Sequence, residues 1–360
     1  MLRLNRCYNM DAITGLNQLE AESVNCCITS PPYYGLRDYG ADGQIGLEPT
    51  PEEFIERLVQ VFHEFFRVLR DDGILWINMG DSYAGSGKGA WANKKAQKEV
   101  YVPDTDSAIA QMPKTFAGIK PKDLMGIPWM LAFALRADGW YLRQDIIWAK
   151  PNPMSESVRD RCTKSHEYIF LLSKSPHYYF DYESIREPIS ASTIIRMQQD
   201  IQHQHGSDRA NGGGKTNGTM HAVVAKGNSL SFRGGGVYTA GRSFENSQNV
   251  ERETHGNIQN ETGLRNKRSV WTVATARCKE AHFATFPPEL IKPCILAGCP
   301  EGGTVCDPFM GSGTTLITAN ELNRNCIGFD INSNYCDMSN KRREDATLQQ
   351  SLFRKAVQTE

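Results

Sequence analysis

The sequence lacks the features that mark membrane, secreted or strongly charged proteins. No uncharged apolar run approaches the roughly 18 residues that a membrane-spanning helix needs. The amino-terminal segment has neither a long apolar core nor a small-residue cleavage site, so we expect no secretory signal. The 40 basic and 41 acidic residues leave a formal net charge of −1, which neither favours nor excludes nucleic acid as a partner. These absences favour a cytoplasmic globular protein that has no membrane partner.

The 10 cysteines form no CxxC pair, and no histidine lies at zinc-ligand spacing from them. Several of them, including Cys306 and Cys326, lie within apolar runs. Reduced thiols that pack as small hydrophobic side chains account for this pattern. A chain of 360 residues buries enough surface to fold without a disulfide or a metal. We therefore expect neither a disulfide framework nor a metal site.

Strand and helix patterns alternate at both ends of the chain. Val24–Thr29 is a short apolar run, and Thr50-Pro51 begins a helix whose apolar residues form one stripe. An apolar strand follows at 74–77, which completes a strand–helix–strand unit. The same alternation returns near 286 and continues to Asp330. We predict an α/β fold with one mostly parallel, doubly wound sheet, because the second block has too few strands to form a sheet alone.

Two stretches interrupt this alternation. Residues 84–120 are polar and lack periodicity, and residues 190–268 contain 12 glycines and 10 basic residues against 6 acidic ones. The second stretch has too few apolar residues to form a core of its own, so it is predicted to be a loop-rich insertion. The predicted boundaries are a first part at 1–189 with the 84–120 loop inside it, the 190–268 insertion, a second part at 269–345 and a polar tail at 346–360.

A glycine-rich segment, Asp307-Pro308-Phe309-Met310-Gly311-Ser312-Gly313-Thr314-Thr315, follows one strand and begins a helix. Backbone amides at a helix amino terminus bind anionic groups. A phosphate loop needs lysine where Thr314 stands, and a dinucleotide fingerprint needs a third glycine. S-adenosylmethionine is a third candidate, because Asp330 ends the next strand, where an acid that binds ribose hydroxyls is expected. A strand-to-helix turn without a ligand is also compatible with the segment.

A second segment, Thr29-Ser30-Pro31-Pro32-Tyr33, lies at the end of the Val24–Thr29 strand. The two prolines lack amide donors and fix their φ angles, so they hold the preceding carbonyl rigidly. A hydroxyl and an aromatic ring lie beside them. Two acceptors that hold the hydrogens of an exocyclic base amine would free its lone pair, and the ring would hold a base that has left the helix stack. A proline-rich turn with simple aromatic packing is the alternative.

Together, TSPPY (29–33) and DPFMGSGTT (307–315) resemble the amino-methylating DNA methyltransferases, which make N4-methylcytosine or N6-methyladenine. The tetrapeptide precedes the glycine loop, as in the permuted β-class order of that family. The resemblance extends through the segments GILWINMGDSY, IIWAKPNP, HEYIFLLSK and HFATFPPELI. It implies a Rossmann-like methyltransferase fold in permuted order, with 1–189 as the catalytic part and 269–345 as the cofactor-binding part.

The resemblance implies a role for each matching residue. The Ser30 hydroxyl and the Pro31 carbonyl would accept the amine hydrogens, beside Pro32, and Tyr33 would stack on the flipped base. S-adenosylmethionine would be bound without a metal by Asp11, Phe283, Thr285, Phe286, Asp307, Phe309, Gly311, Ser312, Gly313, Thr314 and Asp330. Two positions depart from the common family pattern: Met10 stands where glycine is frequent, and Asp330 where glutamate is commoner.

The family's reaction is a direct in-line methyl transfer without a covalent adduct to the base, so it requires no cysteine nucleophile. Serine at position 30 resembles the N4-cytosine enzymes, whereas aspartate there is commoner in the N6-adenine enzymes, which are the alternative. A protein glutamine methyltransferase would carry asparagine at this position and would place its cofactor loop first. A DNA-binding module without catalysis is the remaining alternative, and unchanged methylation after Ser30→Ala would favour it.

DNA binding must come from local clusters of basic residues, because the net charge is close to zero. The residues predicted to contact phosphates are Lys150, Arg159, Arg161, Lys164, Arg265, Lys267 and Arg268. Such contacts give affinity without sequence information. The basic, glycine-rich 190–268 insertion is therefore hypothesised to read the target sequence. The partners implied by the resemblance are double-stranded DNA, a cognate restriction endonuclease and a second copy of the chain in a homodimer.

Overall fold

A computed structural model describes residues 2–36, 38, 40–84, 119–193, 263–277 and 284–357 of the chain. The chain divides into two compact units: Met1–Ile185 together with Arg268–Glu360, and Arg186–Lys267. Most of the predicted 84–120 loop and most of the predicted 190–268 insertion lie outside the described residues. In the smaller unit, the described segments form a short antiparallel pair, Glu187–Pro188 with Leu264–Arg265.

The described strands, in chain order, are β1 Arg6–Asn9, β2 Val24–Thr29, β3 Leu69–Met79, β4 Tyr141–Ala149, β5 His166–Ser173, β6 Glu187–Pro188, β7 Leu264–Arg265, β8 Val270–Thr272, β9 Ala276–Arg277, β10 Ala284–Thr285, β11 Thr304–Asp307 and β12 Asn325–Asp330. The described α-helices are α1 Ala12–Leu16, α2 Pro51–Val68, α3 Ile127–Ala137, α4 Pro288–Gly298, α5 Thr314–Glu321 and α6 Ser333–Val357. A short 3₁₀ helix lies at Glu183–Ile185.

One eight-stranded sheet in the larger unit has the order β1-β12-β11-β2-β3-β5-β4-β8. All neighbours in it are parallel except β5, which runs antiparallel to both β3 and β4. The two ends of the chain meet where β11 pairs with β2, with Val305 opposite Cys26. The prediction of one mostly parallel sheet that both blocks share is therefore confirmed.

Helices cover both faces of this sheet. Alternate residues of β3 show the division: Leu75 and Ile77 pack into the core beneath α1, α2 and α3, whereas Ile74 and Trp76 pack beneath α4, α5 and α6. This alternation follows from the two-residue period of a strand. Each core contains large side chains that are fully buried, such as Phe62 on the first face. The sheet is therefore doubly wound, as predicted.

Helix α2 begins as the sequence predicts, but it ends earlier. The Thr50 hydroxyl accepts a hydrogen bond from the Glu53 amide at 3.2 Å, and Pro51 occupies the first turn. The sequence predicts that residues 71–73 end the helix, yet the backbone is already extended at Leu69 and they belong to β3. A register shift between β2 and β3 near Val24 accommodates these extra residues in the strand.

The polar tail predicted from residue 346 is helical as far as Val357. Residues from 346 to Val357 continue helix α6, which begins at Ser333. The helix packs on β1, where the Asn340 side chain accepts a hydrogen bond from the Cys7 amide at 2.9 Å and donates one to the Cys7 carbonyl at 3.0 Å. No single apolar stripe marks this helix, so its polar sequence resembles a tail.

All the described cysteines are free thiols, and all but Cys162 are buried; Cys278 lies outside the described residues. Burial raises the pKa of the Cys26, Cys27 and Cys306 thiols well above the ordinary value, which keeps them protonated. Among the residues that the structure describes, no helix is both long and apolar enough to cross a bilayer. The same residues include no cluster of three or more metal-ligating side chains.

Candidate active site

The two segments singled out in the sequence meet at one edge of the sheet. Ser30 follows β2 and Pro308 follows β11, and these strands are parallel neighbours with Cys27 opposite Cys306. Parallel strands end at the same edge, so the loops that follow them lie side by side. A direct hydrogen bond links their bases, because the Thr29 hydroxyl donates to Asp307 Oδ1 at 2.7 Å. The juxtaposition follows from the strand order alone.

A cleft of about 690 Å³ lies at this edge, a size typical of small-molecule sites. Both loops line it, together with residues from the start of α1, from β3 and from the β4–β5 edge. The predicted site residues that line it are Asp11, Ser30, Pro31, Pro32, Tyr33, Lys150, Phe286, Phe309, Gly311, Ser312, Thr314 and Asp330. Phe283 lies outside the described residues, and only the backbone of Thr285 is described.

Asp307 and Gly313 do not line the cleft. The Asp307 side chain is fully buried beneath the glycine loop. Its carboxylate accepts hydrogen bonds from the hydroxyls of Thr29 at 2.7 Å and Thr315 at 2.6 Å, and from the Phe309 amide at 3.0 Å. Burial raises the pKa of Asp307 to about 6 in spite of these hydrogen bonds. In this geometry Asp307 shapes the loop from below.

Asp330 connects the glycine loop to the end of β12. Its Oδ2 accepts a hydrogen bond from the Gly311 amide at 2.8 Å, and its Oδ1 accepts one from the Asn332 amide at 2.9 Å. Burial raises the pKa of Asp330 to about 6. Each carboxylate oxygen retains an acceptor site, because a carboxylate offers about four lone-pair positions. The cleft therefore contains an acid with acceptor capacity beside a helix amino terminus.

Gly311 and Gly313 differ in how much space a side chain would have at each position. Both have positive φ angles, +53° at Gly311 and +83° at Gly313. A Cβ at Gly311 would meet no atom closer than 4.0 Å, whereas a Cβ at Gly313 would lie 2.3 Å from Ser339 Oγ and 2.9 Å from Ser339 Cα. Gly313 thus allows helix α6 to approach the start of α5.

Gly313→Ala is expected to destabilise the protein more than Gly311→Ala. Gly311→Ala adds only the left-handed backbone cost, roughly 1–2 kcal/mol. Gly313→Ala adds that cost and an overpacking cost of about 1–3 kcal/mol, because a backbone atom of Ser339 blocks the new methyl group. Urea unfolding of both variants measures the difference. Equal free energies of unfolding for the two variants would contradict the close contact with α6.

The Tyr33 hydroxyl is held at the floor of the cleft by Glu167, a residue that the sequence reasoning missed. It donates to Glu167 Oε2 at 2.7 Å, and the Asn78 side chain donates to the same oxygen at 3.2 Å. Lys150 donates to the other carboxylate oxygen and lies 4.3 Å from the centroid of the Trp148 ring. Glu167 is a charged residue near the start of β5, and the residues that follow it in the strand are mostly apolar. This isolated charge is the feature of the sequence that could have identified it.

The residues predicted to contact DNA are mostly engaged within the protein. Arg161 pairs with Glu156 and lies over the Tyr83 ring, and Lys164 donates to the Asp81 carbonyl. Within the smaller unit, Arg265 pairs with Glu187 at 2.9 Å. Arg159 and Arg268 are exposed, Lys267 is half-buried, and Lys150 lies in the cleft. These local partners give most of the cluster a structural role, and phosphate contact stays a prediction.

In this doubly wound α/β fold, the glycine loop, the acidic side chain of Asp330 and the Ser-Pro-Pro-Tyr turn line one cleft. The sequence matches the DNA methylase family of the N6/N4 type over residues 24–341. The chain therefore belongs to the N6/N4 DNA methylase family, as the resemblance implied, and as a DNA methyltransferase it acts on DNA.

The relatives support this assignment along nearly the whole chain. The type II methyltransferase M.Cfr9I of Citrobacter freundii is 41% identical, over 93% of this chain and 86% of its own length. M.SmaI of Serratia marcescens, also a type II methyltransferase, is 39% identical, over 92% of this chain and 88% of its own length.

Two solved structures share the fold. The PvuII DNA methyltransferase, which is cytosine-N4-specific, matches with a TM-score of 0.54 and 14% identity, covering 94% of this chain and 90% of its own. A putative DNA modification methylase of Thermus thermophilus, determined in complex with S-adenosyl-L-methionine, matches with a TM-score of 0.52 and 18% identity, covering 95% and 93% of the two chains. At these low sequence identities, the similarity to the two solved structures shows a shared fold alone.

Proposed function

We propose that this protein transfers a methyl group from S-adenosylmethionine to the exocyclic N4 amine of cytosine at a specific site in duplex DNA. The observation that carries the proposal is the shared cleft. The Ser30–Tyr33 turn and the loop between Gly311 and Thr314 line the same cavity, with Asp330 between β12 and the loop. A methyl donor and a flipped base can therefore lie next to each other.

The residues of the cleft fit S-adenosylmethionine. Asp330 would accept hydrogen bonds from the ribose hydroxyls, and the amides at the start of α5 would bind the methionine carboxylate. Phe286 and Phe309 line the cleft and provide aromatic surface. Bound there, S-adenosylmethionine supplies an electrophilic methyl group on a sulfonium sulfur.

Asp11 adds a negative charge that suits the cationic groups of this ligand. It caps helix α1, and its Oδ1 accepts a hydrogen bond from the Thr14 amide at 3.0 Å. Burial by itself raises the pKa of Asp11, but hydrogen bonds from Thr14 and from the Ile13 amide outweigh it and lower the pKa. Asp11 is therefore ionised at neutral pH, and an ammonium or sulfonium group beside it would be stabilised.

The Ser-Pro-Pro-Tyr turn prepares the amine for attack. The Ser30 hydroxyl and the Pro31 carbonyl would each accept one amine hydrogen, which directs the nitrogen lone pair towards the methyl group. Pro31 and Pro32 keep both acceptors in place, because neither residue has an amide hydrogen that competes for them. Tyr33 offers its ring to the face of the flipped base. No cysteine takes part, since the nitrogen attacks directly.

Cytosine is proposed as the target base because serine at position 30 resembles the N4-cytosine enzymes, and N6-adenine methylation is the alternative. To test this, DNA is incubated with the protein and deuterium-labelled S-adenosylmethionine and is then digested for nucleoside mass spectrometry. We expect labelled N4-methyldeoxycytidine. Labelled N6-methyldeoxyadenosine as the sole product would overturn the choice of base. The absence of any labelled nucleoside would overturn the proposed reaction.

The binding of S-adenosylmethionine is expected to weaken below pH 6. Burial raises the pKa of Asp330 to about 6, so its carboxylate becomes protonated as the pH falls through that value and loses acceptor capacity for the ribose. Because protonation is easier in the folded state, this group adds stability as the pH falls from about 6 towards 4. Titration calorimetry from pH 8 down to pH 5 should therefore show an affinity for S-adenosylmethionine that falls as the pH falls. Protonation of Asp330 should not lower the free energy of unfolding over the same range.

The variant Asp330→Asn distinguishes the titration of Asp330 from that of Asp307, because burial also raises the pKa of Asp307 to about 6. It is expected to bind S-adenosylmethionine more weakly than the wild type at pH 8, with a flatter pH profile. An unchanged pH profile in Asp330→Asn would assign the titration to another group.

We also propose that residues 190–268 choose the DNA site, a role that the basic composition of this stretch supports. Deletion of this stretch is expected to leave the affinity for S-adenosylmethionine within a factor of about two, because none of the described residues that line the cleft belongs to it. Site choice, read by modification-sensitive sequencing of methylated DNA, is expected to be lost. A truncated protein that still methylates only the original sites would contradict this role.

We also propose two protein partners, a restriction endonuclease and a second copy of the chain. Relatives named type II methyltransferases suggest a cognate restriction endonuclease with the same site, and protection of methylated DNA from that nuclease tests the pairing. Sedimentation of the purified chain with and without DNA tests the homodimer.

A further inference from the structure

Glu167 is an acidic side chain that contacts the Ser-Pro-Pro-Tyr turn directly, at the Tyr33 hydroxyl. It stands near the start of β5, and its side chain is 14% exposed. A buried carboxylate is unfavourable unless it is paired and hydrogen-bonded. Here Lys150 supplies the charge, and Asn78 supplies a further hydrogen bond at 3.2 Å. This local arrangement places a paired carboxylate at the base of the catalytic turn.

The backbone at Gly80 lies close to both side chains of the Tyr33–Glu167 contact. A Cβ at Gly80 would lie 2.9 Å from Tyr33 Cε2, 3.2 Å from Glu167 Cγ and 3.3 Å from Glu167 Cδ. The Tyr33 ring and the Glu167 side chain therefore pack against the same bare stretch of backbone at the end of β3. Steric packing fixes the ring plane, and the hydrogen bond at 2.7 Å fixes the ring along its long axis.

We propose that Glu167 is a positioning residue for methyl transfer and that it acts through the Tyr33 hydroxyl. This inference rests on the proposed function, in which Tyr33 stacks on the flipped base. The Tyr33 hydroxyl donates its hydrogen to Glu167, whose carboxylate is also paired with Lys150. The ring is thereby anchored before the base arrives, and it does not have to be ordered during the reaction.

Burial and the Glu167 carboxylate raise the pKa of the Tyr33 hydroxyl well above its ordinary value, so Tyr33 keeps the hydrogen that it donates to Glu167.

A double-mutant cycle between Tyr33→Phe and Glu167→Gln tests this coupling. Tyr33→Phe keeps the ring and removes only the hydroxyl, so kcat is expected to fall about ten- to a hundredfold, the effect of one hydrogen bond to a charged group. Glu167→Gln is expected to lower kcat as well, by about three- to tenfold, because a neutral amide accepts more weakly. The double variant is expected to match Tyr33→Phe, since Glu167 acts through the missing hydroxyl.

Two further measurements distinguish positioning from loss of structure. The Kd for S-adenosylmethionine and the fluorescence rise of 2-aminopurine placed at the target base are expected to stay at wild-type values in both single variants, while kcat falls. Glu64→Gln is the matched control, because Glu64 pairs with Arg67 on α2, and neither residue lines the cleft. This control is expected to keep the wild-type kcat.

The outcomes are distinct from those of the proposed function. Multiplicative effects in the double variant, or an unchanged kcat in Tyr33→Phe, would overturn the inference while the wild-type product stays the same. Tyr33→Phe removes one atom, so it keeps the test decisive even where Glu167→Gln fails to fold. A wild-type product other than N4-methylcytosine would overturn the choice of base, but the double-mutant cycle could still be measured with that product.

Discussion

Ser30→Ala is expected to lower kcat for DNA methylation on the order of a hundredfold, the loss typical of removing one preorganised polar contact to the reacting group. The missing hydroxyl leaves one amine hydrogen without its acceptor, so the nitrogen lone pair stays delocalised in the base ring. The Pro31 carbonyl and the Tyr33 ring remain, which is why activity does not vanish. Single-turnover methylation with labelled donor measures this effect directly.

Two controls accompany Ser30→Ala. Ser23→Ala removes a hydroxyl that bonds the Glu20 carbonyl outside the cleft, and it is expected to keep the wild-type rate. The Kd for S-adenosylmethionine is expected to be unchanged in Ser30→Ala, because Asp330 and the glycine loop are intact. Full methylation by Ser30→Ala would contradict a catalytic role for the turn and would favour a protein that only binds DNA.

Asp330→Ala is expected to weaken the binding of S-adenosylmethionine by about a hundredfold or more, since hydrogen bonds to a charged group contribute roughly 1.5–3 kcal/mol each. Two causes act together. In the proposed function the ribose hydroxyls would lose their acceptor, and the Gly311 amide would lose the Asp330 oxygen to which it donates at 2.8 Å. Titration calorimetry at pH 8, where the wild-type carboxylate is ionised, measures the loss.

The control for Asp330→Ala is Asp160→Ala, which removes an exposed carboxylate paired with Lys122. Exposed ion pairs contribute little to stability, so this variant is expected to bind like the wild type. Wild-type affinity in Asp330→Ala would show that the nucleoside part of the ligand lies elsewhere.

Much of this architecture could be predicted from local sequence. The capping residues Thr50 and Pro51 mark the start of α2, and the strand predicted before the glycine-rich segment is present at Thr304–Asp307. The second block has too few strands to form a sheet alone, which predicts that both blocks share one sheet. The pairing of β2 with β11 confirms this prediction.

Other features depend on contacts that a single sequence does not reveal. Asp307 is predicted to contact the ligand, but its carboxylate is buried and accepts hydrogen bonds from Thr29 at the end of β2 and from Thr315 of its own segment. Arg161 and Arg265 looked like free cations, yet each has an acidic partner. Long-range pairing decides such cases, and residue type alone does not distinguish a phosphate contact from an internal ion pair.

We propose that the methyl donor and the target base share the cleft between the Ser30–Tyr33 turn and the glycine loop. A crystal structure of the protein with bound S-adenosylmethionine tests this arrangement. We expect the ribose hydroxyls on Asp330, the methionine carboxylate at the start of α5 and the methyl group directed towards Ser30. A ligand bound outside the cleft, or one whose methyl group is directed away from Ser30, would contradict the proposal.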